Sequence, residues 1–493
     1  MVGGSLLVVA VFAVTVGVGI NIKSDETLIT VIINSHQPSS SFSPSQNPTF
    51  RPSFWPSLSS HPSLASSPPS TYWSTLHWKQ QGQEINGEDD DEKDSPAILS
   101  STGMIMAIGS PGPFGNKVRP GYVQIYYRES TGSEWQRRSS NIDGGEYSTI
   151  GDEFGASLAL SEDGTKLVVG APDVEHVDSP GYVQVYSLES NSTGSYWNQL
   201  GQTLVGDDDD GEYFGKGVSI ASDGMTVAIG APKADGNGTV QVYHIDSDGT
   251  GSSWIQIGQT INGEAVGDHS GQNVRLSADG MTLAVGARCN GGRTGHARVY
   301  HMECDGSGSS WKQLGQDIDG EEERDNSGVA LDLSADGKTV AIGANLNDGK
   351  DGKLKHAGHV RVYRREGEGP SSSWEQLGQD IDGEAEGSHS GKSVSISADG
   401  KTLVIGSEIM YDGVSSPGLG YARVYSINNE GSSWKQLGKH ITNRVPCDMP
   451  GDTVKQSVDI SSDGKSVAVS YVCYNEHDES RGFRRIRVYA LED

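Results

Sequence analysis

Between Trp78 and Tyr489 the chain restates one pattern of roughly 60 residues seven times. The pattern is plainest from Trp311 to Ala344, which reads W-K-Q-L-G-Q-D-I-D-G-E, then S-G, then L-D-L-S-A-D-G-K-T-V-A-I-G-A. The copies open at Trp78, Trp135, Trp197, Trp254, Trp311, Trp374 and Trp434, separated by 57, 62, 57, 57, 63 and 60 residues. A turn dipeptide follows in each: Asp163-Gly164, Asp223-Gly224, Asp279-Gly280, Asp336-Gly337, Asp399-Gly400 and Asp463-Gly464, with Thr102-Gly103 in the first copy. A short alternating run then ends at Tyr126, Tyr186, Tyr243, Tyr300, Tyr363, Tyr425 or Tyr489. Three landmarks in one order, seven times, exclude chance.

Asp-Gly between two apolar runs signals a hairpin, because a two-residue type I′ turn needs positive φ at its central residues. Strands such as 394–397 and 403–406 flank the turn and form the inner pair of each copy. A third strand, such as 359–363, and the tryptophan strand, such as 374–378, complete four, the count of a propeller blade. No segment after residue 75 keeps helical apolar spacing for three turns. The expected fold is therefore all-β: a seven-bladed β-propeller of four-stranded blades over residues 76–493. The first copy opens with its tryptophan strand and the last ends on its third strand. The ring should thus close by pairing residues 78–85 with the C-terminal blade, so that removing residues 76–88 destabilises the whole domain. The seven tryptophans read as packing between blades.

The segments Phe154-Gly155-Ala156-Ser157-Leu158 and Phe214-Gly215-Lys216-Gly217-Val218 precede Val168-Val169-Gly170-Ala171-Pro172 and Ala228-Ile229-Gly230-Ala231-Pro232. This arrangement resembles the FG-GAP repeat of the integrin alpha-subunit propeller and its extracellular relatives. Elsewhere Ser270-Gly271, Ser327-Gly328 and Ser390-Gly391 replace the Phe-Gly half. The resemblance implies a propeller and an adhesive role. It does not bring the family's calcium cages, because a Ser-x-Asp-Gly turn with one carboxylate cannot supply the six to eight oxygens that Ca²⁺ takes.

Residues 1–22 carry no charged side chain, and 6–22 are almost continuously apolar, as in a signal peptide or membrane anchor. Residues 23–75, Ser/Pro-rich from 35 to 72, cannot bury a core and read as a disordered stalk. Either N-terminal reading places the propeller outside the cell, secreted or tethered by a single span. The sequons at Asn191 and Asn237 fit that compartment as N-glycosylation sites. Four cysteines do not make a disulfide scaffold. Cys447 and Cys473 fall on one rim of the last blade and should bridge, whereas Cys289 and Cys304 should sit on opposite rims, out of reach of each other.

The net charge of −28, from 37 basic and 65 acidic residues, argues against nucleic acid as a partner. Acidic residues gather at 88–91, 207–212, 264–268, 321–325 and 384–386, loops that share one rim. If Ca²⁺ binds anywhere, Asp207, Asp208, Asp209 and Asp210 are the first candidates. His296 and His359 take the place of Tyr182 and Tyr421 and read as structural; His269 and His389 occupy equivalent loop positions.

No nucleophile elbow, phosphate loop or paired zinc motif is present, and no catalytic residue is assigned. The near-uniform repeats favour a non-enzymatic, monomeric module that binds an extracellular protein or glycan through its acidic rim. The alternative is a hydrolase or lyase acting on extracellular polysaccharide. A central channel lined by buried Asp, Glu or Arg would favour the alternative, as would irregular loops, of which 345–355 and 409–418 are the least regular.

Overall fold

The computed structural model describes residues 76–87, 96–111, 121–145, 152–172, 180–192, 194–207, 212–246, 253–305, 308–349, 352–367, 369–410, 420–428, 431–442, 452–475 and 478–492. Of the two units into which the chain divides, Met1–Ser66 and Ser67–Asp493, all of these belong to the second. The expected N-terminal anchor or signal and the stalk lie outside the described residues.

Seven antiparallel sheets form the blades of a β-propeller. Blade 4 shows the plan: Ser270–Leu276 pairs with Thr282–Ala287, which pairs with His296–Asp305, which pairs with Gly308–Gln313. After the tryptophan the outer chain kinks, and the two-residue strand Ile318–Asp319 rejoins the third strand opposite His296 and Ala297. The second strand is buried along its whole length in blade 4, which is why it reads as a near-continuous apolar run. Cores lie between blades: Ala228, Val240 and Val242 of blade 3 pack with Val274, Leu283, Val285 and Trp311 of blade 4.

The ring closes as the phase of the repeat requires. His77–Gln80 and Ile85–Asn86 pair with Asp478–Glu492, the third strand of blade 7. Glu84 reinforces the closure by accepting a hydrogen bond from Arg487 Nε at 2.5 Å.

Adjacent blades are joined by three repeated devices. In five seams the glutamine five residues after one tryptophan clasps the backbone of the next. Gln259, for instance, donates to the Trp311 carbonyl (2.7 Å) and accepts from its N–H (3.0 Å), and Gln83, Gln202, Gln316 and Gln379 repeat this on Trp135, Trp254, Trp374 and Trp434. The indole N–H groups of Trp78, Trp254, Trp311, Trp374 and Trp434 donate to a carbonyl of the preceding blade. The tryptophans thus bridge blades, as read from the sequence.

The third device explains the glycines of the repeat. At Gly230 a Cβ would lie 2.0 Å from the carbonyl oxygen of Gly271, and at Gly343 equally close to that of Gly391. Backbone rests on backbone across the seam, which no side chain permits. The Phe154 and Phe214 rings beside such glycines are buried in the inter-blade cores.

The turns differ from the type I′ expectation. Only the glycine has positive φ, +68° at Gly164 and +69° at Gly280, and the aspartate before it does not. Ser161 instead pairs with Lys166 around a four-residue loop: its N–H donates to the Lys166 carbonyl and its Oγ accepts the Lys166 N–H. Asp163 Oδ1 accepts from Ser161 Oγ and the Thr165 N–H, so the side chains close the turn that the dipeptide alone does not.

Cys289 and Cys304 are free, and Cys473 is disulfide-bonded. Cys447, its expected partner, lies outside the described residues.

Replacing Gly230 with alanine should cost about 3 kcal/mol or more, at the upper end of overpacking, because neither backbone can yield. Gly267→Ala, where a Cβ meets nothing within 4 Å, should cost only the left-handed φ strain of about 1 kcal/mol. Urea unfolding of the two variants checks the difference.

Candidate functional site

Two places in the propeller carry polar groups that depart from the sevenfold pattern: the loop rim of blades 4 to 6, and the channel beneath the Ser-x-Asp-Gly turns.

On the loop rim one arrangement recurs at three successive seams. Glu264, on the loop into blade 4, faces His296 and Arg298 of its third strand, with His296 Nδ1 3.9 Å and Arg298 Nη1 3.8 Å from the carboxylate. Glu321 faces His359 and Arg361 of blade 5 in the same way, at 3.8 and 3.5 Å. Glu384 faces Arg423 at 3.4 Å and His440 at 3.3 Å, while Tyr421 stands where the other blades have histidine. The arginines are buried, and two of them, Arg361 and Arg423, are anchored by donating to the carbonyls of Asp319 and Asp382 in the preceding blade. The glutamates are about half exposed. Blades 2 and 3 carry Gln184 and Gln241 at the arginine position.

His296 and His359 are almost wholly buried, as the structural reading of the sequence required. Burial, aided by the neighbouring Arg361, pushes His359 down to about 4; burial and Arg298 lower His296. Both imidazoles are therefore neutral at physiological pH. Together with Asp317 and Asp380 they form two Glu-His-Asp groups whose ligand atoms lie within 4.8 Å of one another. A guanidinium already pairs with the glutamate of each group, and Arg298 Nε donates to His296 Nε2. The sets fit a salt-bridge network better than a cation site.

The other acidic loop residues divide in two. Asp268 and Asp325 turn inward, Asp268 accepting the N–H groups of Glu264 and Ala265 and Asp325 those of Glu322 and the Asn347 amide. Asp207 is exposed, and Asp208, Asp209 and Asp210 lie outside the described residues. Asn191 is exposed at the tip of the 182–199 hairpin. Asn237 is half-buried and its amide donates to the Gly263 carbonyl. His269 Nδ1 lies 3.4 Å from Cys289 Sγ, and His389 packs near His356, so the two histidines have separate partners.

The channel holds a cavity of about 210 Å³ at the turn end. Its lining includes one residue per blade at a single register position, four before the turn dipeptide's aspartate position: Ile98, Ala159, Ser219, Arg275, Asp332, Ser395 and Asp459. Four of these side chains serve the first strand of the next blade by accepting one of its N–H groups. Ser219 Oγ accepts from Leu276 N–H (2.9 Å), Asp332 from Ile396 (2.7 Å), Ser395 from Ile460 (3.3 Å) and Asp459 from Leu99 (2.6 Å). Ser395 also donates to Asp459 at 3.0 Å. Burial, with Asp332 nearby, raises Asp459 to about 6 despite these donors and Arg275. Arg275 cannot accept, and at its seam Asp332 takes the Leu333 N–H of its own blade as well as a 3.0 Å bond from Arg275 Nε.

Fold and sites together define a seven-bladed β-propeller with a charged channel and a patterned loop rim. No protein-family model matches the chain, and no curated protein does. Solved structures with a similar course include a periplasmic gluconolactonase from Pseudomonas aeruginosa, at 15% identity and TM-score 0.47, covering 83% of this chain and 98% of that one. A protein of Bacteroides uniformis, provisionally assigned as a 6-phosphogluconolactonase, matches at 17% identity and TM-score 0.46, covering 78% and 94%. Likeness at this level carries no argument about chemistry.

Asp459 gives a pH signature. Its folded pKa, about 6, exceeds the ordinary aspartate value of 3.8, so the folded chain holds the proton more tightly and stability falls as pH rises from 4 to 6. Asp459→Asn removes that loss. Relative to wild type, the variant should gain about 3 kcal/mol between pH 4 and pH 7, by a shift of roughly two pKa units, read by urea unfolding at both pH values.

Proposed function

We propose that the protein is an extracellular, non-enzymatic recognition or adhesion module of FG-GAP type, binding a protein or glycan through the loop rim. The observation that carries this reading is the Glu-Arg arrangement repeated at three consecutive seams, with the arginine buried and the glutamate half open to solvent. Buried donors beside exposed acceptors form a rigid polar surface, and rigidity lowers the ordering cost of binding. The strong negative charge favours a ligand with basic or neutral groups.

A second reading, a hydrolase or lyase acting on polysaccharide, is favoured by Asp459, Asp332 and Arg275 sharing one cavity, since a carboxyl near 6 suits a general acid. Against it, both carboxylates are committed to backbone donors of the ring.

The test is an array of extracellular proteins and glycans probed with and without Ca²⁺, using wild type and the triple variant Glu264→Gln, Glu321→Gln and Glu384→Gln. The triple variant should keep its Tm and weaken the ligand at least about tenfold, as expected for several rim charges acting together. Unchanged binding rejects the rim, and release of new reducing ends from a polysaccharide selects the second reading.

A further inference from the structure

The channel wall contains one residue whose structural duty uses only part of its polar group. Asp332, Asp459, Ser219 and Ser395 each accept a backbone N–H from the next blade. An acceptor is what an inner edge strand needs, and the wall supplies it at these four seams. Ile98, Ala159 and Arg275 have no acceptor atom, and of the three only Arg275 is polar: it reaches across to Asp332 of blade 5, which also accepts the Leu333 N–H of its own blade. Arg275 uses only Nε, on Asp332. Its side chain is one-third exposed, and among the described residues Nη1 and Nη2 have no protein partner. A cation whose structural bond uses one of its nitrogens and leaves the other two open, on the wall of a cavity, is where function is expected.

The groups around Arg275 restrict what could sit there. The cavity of about 210 Å³ equals the liquid volume of about seven waters, and is below the roughly 300 Å³ at which drug-sized pockets begin. It presents paired guanidinium donors, carboxylates with spare lone pairs at Asp332 and Asp459, and hydroxyls at Ser219 and Ser395. Donors and acceptors therefore alternate around a small ring of wall, with aliphatic side chains such as Ile98, Leu158 and Ile220 beside them. Arg275 is already neutralised by Asp332. Glu162 lines the mouth, and the exposed Asp163, Asp223, Asp279, Asp336, Asp399 and Asp463 each follow a lining residue on the same turns, which disfavours an anion. A cation would gain nothing from Arg275.

We propose that the turn-side mouth of the channel is a binding site for one neutral sugar residue or a similar polyol, with Arg275 as its principal donor. A hydroxyl both donates and accepts, and two on neighbouring carbons match the fork of a guanidinium or of a carboxylate. Arg275 Nη1 and Nη2 take one such pair, and the free lone pairs of Asp332 and Asp459 take protons from others. The site lies among the turns, away from the loop rim, so it stands or falls independently of the rim reading.

The experiment is calorimetric and saturation-transfer titration of the full chain with glucose, galactose, mannose and myo-inositol, with glucuronate and glucosamine as charged controls. Saturable one-to-one binding of at least one neutral probe is expected, weakened at least tenfold by Arg275→Lys, which keeps the charge but loses the fork. The triple rim variant should bind the sugar as wild type does, which separates this site from the rim. Arg275→Lys and wild type should share a Tm, and Ser395→Ala should weaken binding too, so that a folding defect in one variant does not decide the matter. Absence of binding by every neutral probe, tighter binding of glucuronate or glucosamine than of glucose, or full retention of binding in Arg275→Lys would overturn the proposal.

Discussion

The structure depends on one closed loop of hydrogen bonds. The residue that follows serine (alanine in blade 3) at each turn donates its backbone N–H to the carbonyl of its counterpart in the next blade, from Ser101 to Glu162, Ser222, Ala278, Ala335, Ala398 and Ser462, and from Ser462 back to Ser101. The distances run from 2.9 to 3.3 Å. The first strand of every blade is an inner edge that would otherwise leave polar groups unpaired at the axis. Seven blades bring seven such edges into mutual range, and the circuit satisfies one donor and one acceptor from each. Farther out, the glutamine clasps and the glycine contacts hold the seams at the spacing this circuit demands, and the strand at 77–80 supplies the outer edge of the seventh sheet.

Much of this was legible in the sequence because bulk and backbone conformation leave strong marks. Seven tryptophans at near-constant spacing announce seven units, and the glycine pairs announce close backbone approach. The phase of the repeat places Trp78 in the last blade without reference to any contact. The turn was harder. Asp-Gly suits both a two-residue and a four-residue loop, and the deciding atom is Ser161 Oγ, which reaches the N–H of residue 166. That serine recurs in most copies as plainly as the aspartate, but its role appears only once both ends of the loop are fixed.

The channel was missed for a different reason. Asp332 sits inside the segment in which the repeat is easiest to read, and a residue inside a repeat looks like scaffold. Only alignment of all seven copies at one register position shows Ile98, Ala159, Ser219, Arg275, Asp332, Ser395 and Asp459 side by side, where the pattern is variable in chemistry but constant in direction. Strand alternation would have placed that register on the channel side, opposite the buried leucines and isoleucines that follow it. On the rim, the acidic loops were visible as charge, yet the arginines that hold Glu264, Glu321 and Glu384 come from strands some 30 to 40 residues later in the chain. Composition therefore showed a negative face, and only the fold shows that its half-exposed members are balanced.

The backbone circuit has an electrical consequence. In a helix, peptide dipoles stack along one axis and leave charge at the two ends. Here seven N–H to carbonyl links run head to tail around a circle, so their in-plane components cancel and the loop has no end at which charge can collect. Any net in-plane polarity at that level therefore comes from the side chains. Among them a single guanidinium and two carboxylates, unevenly placed on an otherwise even ring, make the axis polar in one direction across the disk and not in the others.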